Sequence, residues 1–172
     1  MGRRPYTYGL NLENIGVGMN KNGFIQTNQN FQTSVNNIYA IGDCKQGPML
    51  AHKASEEGVA VAELLSGQAG QVNYDTIPSV IYTFPEVASV GKTEEELKDL
   101  SIKYIVGKFP FTANAKATVM QETEGFVKIL SDSQTDEVLG VHIIGADAGN
   151  LIAEPLARKL TCLSSLVMSI AT

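Results

Sequence analysis

The sequence is poor in cysteine and histidine, the residue types that most often mark metal and redox sites. Its 172 residues include two cysteines, Cys44 and Cys162, and two histidines, His52 and His142. Their spacings match neither a CxxC pair nor a zinc-ligand pattern. We therefore expect no metal site. We interpret His142, which lies in an apolar stretch, as a packed or hydrogen-bonded residue of a strand.

Long apolar runs and an excess of positive charge are also missing. No apolar segment approaches the roughly 20 residues of a membrane span, and a formal net charge of −5 argues against nucleic-acid binding. The basic start, residues 1–4, is not followed by the apolar stretch of a signal peptide, so we expect no targeting segment. With 44% hydrophobic and 18% charged residues, the composition is typical of a soluble globular protein of one or two domains.

The most informative stretch covers residues 38–43, Ile-Tyr-Ala-Ile-Gly-Asp. A short apolar run that ends in a glycine and an acid is typical of a buried strand that stops at a ligand crevice. The carboxylate of Asp43 would then lie where a sugar or sugar-alcohol hydroxyl could donate to it. The stretch predicts a site for a hydroxylated ligand.

A helical pattern follows this stretch, from Met49 to about Ser66. Proline is favoured at the first helical position, so Pro48 is expected to open the helix, and Gly67 is expected to cap its end. The first N–H groups, at about residues 49–52, would point back at the crevice. The charged residues Lys53, Glu56 and Glu57 are most simply interpreted as the solvated face of the helix.

The second half of the sequence has the texture of an antiparallel sheet with helices. A linker at 67–73 precedes predicted strands at 79–83, 87–91, 102–111, 125–130 and 138–145. Thr93 and Glu96 form a capping-box pattern, which predicts a short helix that buries Leu97 and Leu100. A last helix is predicted from about 149 to 159, kinked at Pro155 unless that proline falls in its first turn. The order ββαβββα indicates an α+β layer.

The residues around Asp43 resemble the second flavin segment of the pyridine nucleotide–disulfide oxidoreductases. The resemblance is carried by Ile41-Gly42-Asp43, by residues 47–54 (Gly-Pro-Met-Leu-Ala-His-Lys-Ala) and by Glu56-Glu57-Gly58. It implies that Asp43 holds the ribityl chain of FAD. It further implies that the helix start meets the pyrimidine edge of the flavin, where negative charge develops on reduction. The implied cofactor-binding residues are Asp43, Met49, Leu50, Ala51 and His52.

A second set of segments resembles the C-terminal interface domain of the same family. The matching pieces are Tyr82-Thr83, Pro85-Glu86-Val87-Ala88, Val90-Gly91, and residues 113–117, 125–128 and 139–145. The resemblance implies an α+β dimerisation domain, an antiparallel sheet with flanking helices, preceded by a partial α/β FAD-binding domain. The implied ranges are 1–22 for the end of the NAD-binding domain and a connector, 23–72 for the partial FAD domain, 73–160 for the dimerisation domain and 161–172 for a divergent tail.

Three parts of the family's chemistry are absent from the sequence: the Gly-x-Gly-x-x-Gly loop, the Cys-x4-Cys pair and the His–Glu acid/base. The resemblance therefore implies a C-terminal fragment, inactive alone and without catalytic residues. Segments 49–54 and 139–145 favour family members that oxidise protein-bound dihydrolipoamide with FAD and NAD. The implied partners are a twin chain, through 73–160, and lipoyl-bearing subunits. The implied location is the mitochondrial matrix if eukaryotic, otherwise the cytoplasm. The alternative is a non-catalytic dimerisation or interaction module.

Overall fold

The structure is a computed structural model that describes residues 2–161 and divides into two compact units, one ending at Tyr74 and one beginning at Asp75. Of the divergent tail predicted for 161–172, residues 162–172, which include Cys162, lie outside the described part of the chain. Each unit has its own hydrophobic core. The first unit carries the candidate site.

The first unit is built mostly from loops and short turns around a small core. That core contains Leu12, Val17, Ile25 and Ala40, with Val35, Ile38 and Cys44 packed against it. The predicted strand at 38–43 is wrong, because this stretch makes one isolated bridge, between Tyr39 and Gln32, and no ladder. The backbone at Ile41 is nevertheless extended, with φ −133° and ψ 167°. The residues favour a strand, but residues 2–74 offer no neighbouring strand long enough to pair with them.

Helix α1 of the first unit spans Ala51–Leu65. The predicted opening at Pro48 is wrong by three residues, because the backbone is still extended at the N-cap residue Leu50, with φ −126° and ψ 132°. The predicted end is confirmed. Gly67 adopts a left-handed φ of 81°, and its N–H donates to the Leu64 carbonyl at 3.1 Å.

The second unit is a five-stranded antiparallel sheet with helices. Its elements are β1 Ser79–Ile81, β2 Glu86–Gly91, α2 Glu94–Asp99, β3 Tyr104–Pro110, α3 Ala115–Met120, β4 Phe126–Asp132, β5 Val138–Gly145, α4 Ala148–Leu151 and α5 Ala153–Thr161. The strand order is β1-β2-β5-β4-β3. The predicted antiparallel α+β layer is confirmed, and the five strands fall within a few residues of the predicted ranges. Helix α3 was not predicted.

One face of the sheet forms the core of the second unit. Side chains that alternate along the three central strands pack there with Phe111, Val138, Ala148 and Ile152; they are Ala88, Val90, Val127, Ile129, Val141 and Ile143. The alternative predicted for Pro155, a place in the first turn of its helix and no kink, is confirmed. Helix α4 ends at Leu151 and α5 begins at Ala153, which places the buried Pro155 in the first turn of α5.

The capping box that opens α2 is confirmed. The Glu96 N–H donates to the Thr93 hydroxyl at 3.2 Å, and the Thr93 N–H donates to the Glu96 carboxylate at 2.8 Å. Leu97 is fully buried, as predicted, but the predicted burial of Leu100 is wrong, since 57% of its surface is exposed. The helix ends at Asp99 and Leu100 is its C-cap residue, so it lies past the last packed turn.

Candidate functional site

Asp43 lies on a tight 3-10 turn, Gly42–Cys44, that packs against α1. Its side chain is exposed. Gly42 adopts a left-handed φ of 69°, and a Cβ atom at this position would lie 3.1 Å from the Cβ of Ala54 on α1. Both the conformation and the close approach to the helix therefore require glycine at this position.

Two charged side chains of α1 hold the backbone of this turn. The Gly42 N–H donates to Glu57 Oε2 at 2.7 Å, and Lys53 Nζ donates to the Gly42 carbonyl at 3.1 Å. Lys53 Nζ also lies 3.4 Å from Glu57 Oε2. The Gly42 carbonyl belongs to the peptide group that contains the nitrogen of Asp43. The helix therefore fixes the peptide groups on both sides of Gly42.

The second oxygen of the Glu57 carboxylate is also fully used. Glu57 Oε1 accepts a hydrogen bond from the Tyr74 hydroxyl at 2.7 Å and another from Lys45 Nζ at 3.0 Å. Lys45 Nζ donates in addition to the Tyr74 hydroxyl at 3.1 Å. Lys45, Lys53, Glu57 and Tyr74 thus form one polar network under the turn. We call these four residues the Gly42 clamp.

The clamp corrects the expectation that Lys53, Glu56 and Glu57 form a solvated face. The side chains of Lys53 and Glu57 have no exposed surface, whereas Glu56 is exposed. Lys53, Glu57 and the buried Ala60 follow the i, i+4, i+7 spacing of a packed helix face. That spacing could have predicted their burial from the sequence. The prediction was not made because Lys53 and Glu57 are charged, and charged residues one turn apart usually pair in solvent.

The hydrogen bonds of the clamp shift the pKa values of Glu57, Lys45 and Tyr74. Burial favours the neutral form of Glu57, but hydrogen bonds from Tyr74, the Gly42 N–H and Lys45 outweigh it and lower the pKa of Glu57. Burial also opposes the charge on Lys45, yet its bonds to Tyr74 and Glu57 raise its pKa. Burial and the bond to the Glu57 carboxylate raise the pKa of Tyr74. Glu57 and Lys45 are therefore charged and Tyr74 is neutral at pH 7.

The start of α1, Ala51, lies eight residues after Asp43. Met49 and Leu50 are half-buried ahead of the helix, and Ala51 and His52 are exposed in its first turn. The first backbone hydrogen bond of the helix runs from the Ala54 N–H to the Leu50 carbonyl at 3.1 Å, and the N-cap residue makes no side-chain capping bond. The first turn of a helix carries a partial positive charge.

The structure thus assigns different settings to the five residues that sequence reasoning singled out. Asp43 offers an exposed acceptor, Ala51 and His52 belong to a helix N-terminus, and Met49 and Leu50 form the approach to it. An exposed carboxylate suits hydroxyl donors, and a helix N-terminus suits an electron-rich group. This combination of an acceptor and N–H donors is therefore chemically suited to a ligand with a hydroxylated chain and an electron-rich ring. Sequence reasoning missed the Gly42 clamp.

Three further features bear on the classes of site considered from the sequence. His142 is half-buried in β5, and its Nε2 lies 3.1 Å from the Lys92 carbonyl, so its interpretation as a hydrogen-bonded residue is confirmed. Within residues 2–161, no group of histidine, cysteine, aspartate and glutamate side chains has the arrangement of a metal site. In the same part of the chain, every helix is too short or too polar to cross a membrane.

The second unit has a second sheet face, opposite to its core. The strand register places four apolar side chains next to one another across this face: Ile81, Val87, Ile144 and Phe126. Ile81 is 57% exposed and the other three are half-buried. Lys108 Nζ lies 3.8 Å from the centre of the Phe126 ring at one end. We call these four residues the apolar row.

Two family profiles match the chain. The profile described as "Pyridine nucleotide-disulphide oxidoreductase" matches residues 1–58, and the one described as "Pyridine nucleotide-disulphide oxidoreductase, dimerisation domain" matches residues 77–159. The chain is 59% identical over 157 residues to dihydrolipoyl dehydrogenase of Trypanosoma brucei brucei, covering 91% of the chain and 33% of that protein. It is 57% identical over 153 residues to mitochondrial dihydrolipoyl dehydrogenase 2 of Arabidopsis thaliana, covering 89% of the chain and 30% of that protein.

A solved structure has the same fold. The HOCl-induced flavoprotein disulfide reductase RclA from Escherichia coli superposes with a TM-score of 0.83 at 27% identity, over 94% of the chain and 38% of that protein. The chain therefore spans about a third of the length of the curated relatives that it matches.

Proposed function

Because this chain belongs to the pyridine nucleotide–disulphide oxidoreductase family, we propose that it supplies part of the flavin site and the dimerisation domain of a dihydrolipoyl dehydrogenase. The complete protein would oxidise protein-bound dihydrolipoamide and pass two electrons through a disulfide and FAD to NAD. Identity of 59% to a dihydrolipoyl dehydrogenase supports this choice of enzyme. The single observation that carries the site assignment is the exposed carboxylate of Asp43. It follows Gly42, whose backbone is hydrogen-bonded to side chains of α1, the helix whose N-terminus is the other part of the proposed site.

The residues present are suited to the role of a partial FAD site. Asp43 would accept hydrogen bonds from the hydroxyl groups of the ribityl chain. The segment from Met49 to His52, which leads into the first turn of α1 at Ala51, would provide N–H donors and a partial positive charge for the pyrimidine edge of the flavin. FAD would supply the electron-transfer chemistry. The contribution of these residues is to orient the cofactor and to stabilise negative charge on its ring.

The second unit would form the contact with a twin chain. Its sheet has a complete core on one face, and the apolar row leaves hydrophobic surface on the other. Exposed apolar patches of this kind often mark protein–protein contacts. This unit also supports a second candidate function, that of a non-catalytic dimerisation module, because it has a hydrophobic core of its own that includes no residue of the flavin site. The proposed homodimer would use residues 73–160.

Two further assignments extend the proposal to the cell. The partners of the complete enzyme would be lipoyl-bearing subunits, whose dithiol is its substrate. We propose a mitochondrial matrix location for a eukaryotic source, which the name of the Arabidopsis relative, a mitochondrial enzyme, supports.

The proposed function is tested by replacing Asp43 in a protein that has a complete flavin site. Such a protein is a chimera in which this chain's 157 matching residues replace those of the Trypanosoma enzyme. Asp43→Ala removes charge-assisted hydrogen bonds worth about 1.5–3 kcal/mol, so FAD should bind about 10- to 150-fold more weakly. Asp99→Ala, an exposed acid of the second unit, is the control. Unchanged flavin affinity in Asp43→Ala would contradict the role of Asp43.

The same chimera separates the two candidate functions. A dihydrolipoyl dehydrogenase segment should support NAD reduction by dihydrolipoamide in the chimera, while the chain alone should show neither bound flavin nor turnover. A chimera that folds and binds FAD but transfers no electrons from dihydrolipoamide would favour a different disulfide substrate. The interaction module would be favoured if the chain alone forms a dimer and the chimera that contains its residues does not bind FAD.

A further inference from the structure

The Gly42 clamp buries two full charges on a helix face that contains no catalytic group. We propose that Glu57 and Lys53 are positioning residues for flavin binding, because they fix the direction in which Asp43 presents its carboxylate. The inference rests on the proposed function, since it concerns the same partial flavin site. It adds a role for two residues that do not face the ligand.

Glu57 and Lys53 each fix one of the two peptide groups that flank Gly42. Glu57 accepts the Gly42 N–H at 2.7 Å and so fixes the peptide group before Gly42. Lys53 donates to the Gly42 carbonyl at 3.1 Å and fixes the peptide group that continues into Asp43. Both bonds originate one helical turn apart on α1, whose N-terminus is the other part of the proposed site. The acid and the helix start are therefore held in one frame.

Glycine makes such a clamp necessary. Gly42 has a left-handed φ of 69°, and a glycine without external contacts exchanges among many backbone conformations. Any rotation about its bonds would swing the Asp43 carboxylate, since Asp43 follows directly. A stiffer residue in place of Gly42 would be strained, because φ is left-handed and a Cβ atom would lie 3.1 Å from Ala54 Cβ. The required rigidity has to come from hydrogen bonds.

The choice of charged residues also favours positioning over plain packing. Burying a carboxylate and an ammonium costs desolvation free energy, and apolar side chains of similar volume often stabilise a core as well or better. Charge-assisted bonds are shorter and more directional than packing contacts, so they specify one backbone geometry. Lys45 and Tyr74 occupy the remaining Glu57 oxygen. The carboxylate is thereby kept in one orientation, with Oε2 directed at Gly42.

The first test examines the clamp in the chain itself. Hydrogen exchange of the Gly42 amide, followed by NMR at pH 7, should accelerate at least tenfold in Glu57→Gln, because an uncharged amide accepts less strongly. Glu56→Gln is the matched control, since Glu56 is the adjacent glutamate on the same helix and is exposed. Exchange at Gly42 that is unaltered by Glu57→Gln would overturn the proposal.

The second test asks whether the clamp acts through Asp43. FAD affinity of the chimera described above is measured for Glu57→Gln, Asp43→Ala and the double variant, with folding of each apoprotein checked by circular dichroism. Positioning predicts that Glu57→Gln weakens FAD binding about fivefold to tenfold when Asp43 is present and less than twofold in the Asp43→Ala background. Lys53→Met should behave in the same way and provides a second variant. Glu56→Gln should leave the affinity unchanged in both backgrounds.

The outcomes distinguish the two proposals. If Asp43→Ala weakens FAD binding but the effect of Glu57→Gln adds to it in full, the clamp is only structural and the positioning role is wrong. If Asp43→Ala has no effect, the assignment of Asp43 to the flavin fails first, and the positioning role fails with it. Coupling between the two substitutions supports both.

Discussion

Lys53 and Glu57 lie one turn apart on α1, and neither side chain has any exposed surface. Lys53 Nζ and Glu57 Oε2 lie 3.4 Å apart, but the two side chains differ in the number of other polar groups that they contact. Glu57 also accepts bonds from Lys45, Tyr74 and the Gly42 N–H, while Lys53 has the Gly42 carbonyl as its second acceptor. The carboxylate is therefore the centre of the cluster.

This asymmetry predicts unequal costs of substitution. Glu57→Leu leaves two ammonium groups without their carboxylate and should reduce the free energy of unfolding by about 3–5 kcal/mol. Lys53→Met leaves Glu57 paired with Lys45 and should cost less, about 1–2 kcal/mol. Urea denaturation, followed through the unfolding transition of the first unit, measures both free-energy changes. Equal losses for the two variants would mean that the negative charge is not the centre of the cluster.

The stability of the first unit should depend on pH through Glu57. The folded state lowers its pKa below the ordinary glutamate value of 4.5, so the folded protein binds a proton less readily than the unfolded one. The resulting stabilisation is present above pH 4.5 and is lost as the pH falls through the lowered pKa. Thermal unfolding between pH 3 and about 7 should show this loss in the native chain. A curve for Glu57→Gln as steep as the native curve would contradict it.

Lys45 and Tyr74 should make the stability of the first unit depend on pH in the alkaline range. Both pKa values are raised, from 10.5 and 10.0 respectively, so their contribution is present below pH 10 and is lost as the pH rises through the raised values. Tyr74→Phe should flatten this alkaline limb and leave the acidic one in place. Absorbance of tyrosinate at high pH, followed together with unfolding, measures the effect.

Helix α2 offers a matched pair of leucines for testing the second unit. Leu97→Ala should reduce the free energy of unfolding by about 2–5 kcal/mol, because Leu97 is fully buried and its removal leaves a cavity. Leu100→Ala should change it by less than about 0.5 kcal/mol, because Leu100 is 57% exposed. Chemical denaturation resolves the difference. Similar losses would mean that Leu100 packs against something outside the described residues.

The apolar row makes a prediction about association. Ile81→Lys places a charge in the row and should shift a dimer of the chain towards monomer at micromolar concentration. Ile105→Lys is the control, because Ile105 is 56% exposed on the opposite edge strand of the sheet and lies outside the row. Light scattering after size exclusion gives the mass of each variant. Loss of the dimer only in Ile105→Lys would assign the contact to the other edge.

Local patterns in the sequence predicted the second unit well and the first unit less well. The strands, the Thr93 capping box and the place of Pro155 in a first helical turn follow from alternation, caps and proline geometry, which act over a few residues. The predicted strand at 38–43 failed because a strand also needs a partner of similar length, and residues 2–74 offer only a single bridge to Gln32. The Gly42 clamp was missed because it joins residues up to 32 positions apart, from Gly42 to Tyr74, through one carboxylate.

The strand order of the second unit has a consequence for protein synthesis. Strand β2 pairs with β5, so Glu86 lies opposite Gly145, far along the chain, and β3 and β4 are made in between. A nascent chain can form the β1–β2 hairpin and the β3–β4 hairpin early, but the two cannot join until β5 leaves the ribosome. Of these five strands, the last in the sequence, β5, lies at the centre of the sheet. Ribosome-bound chains that stop before Val138 should therefore hold two separate hairpins and expose both to chaperones.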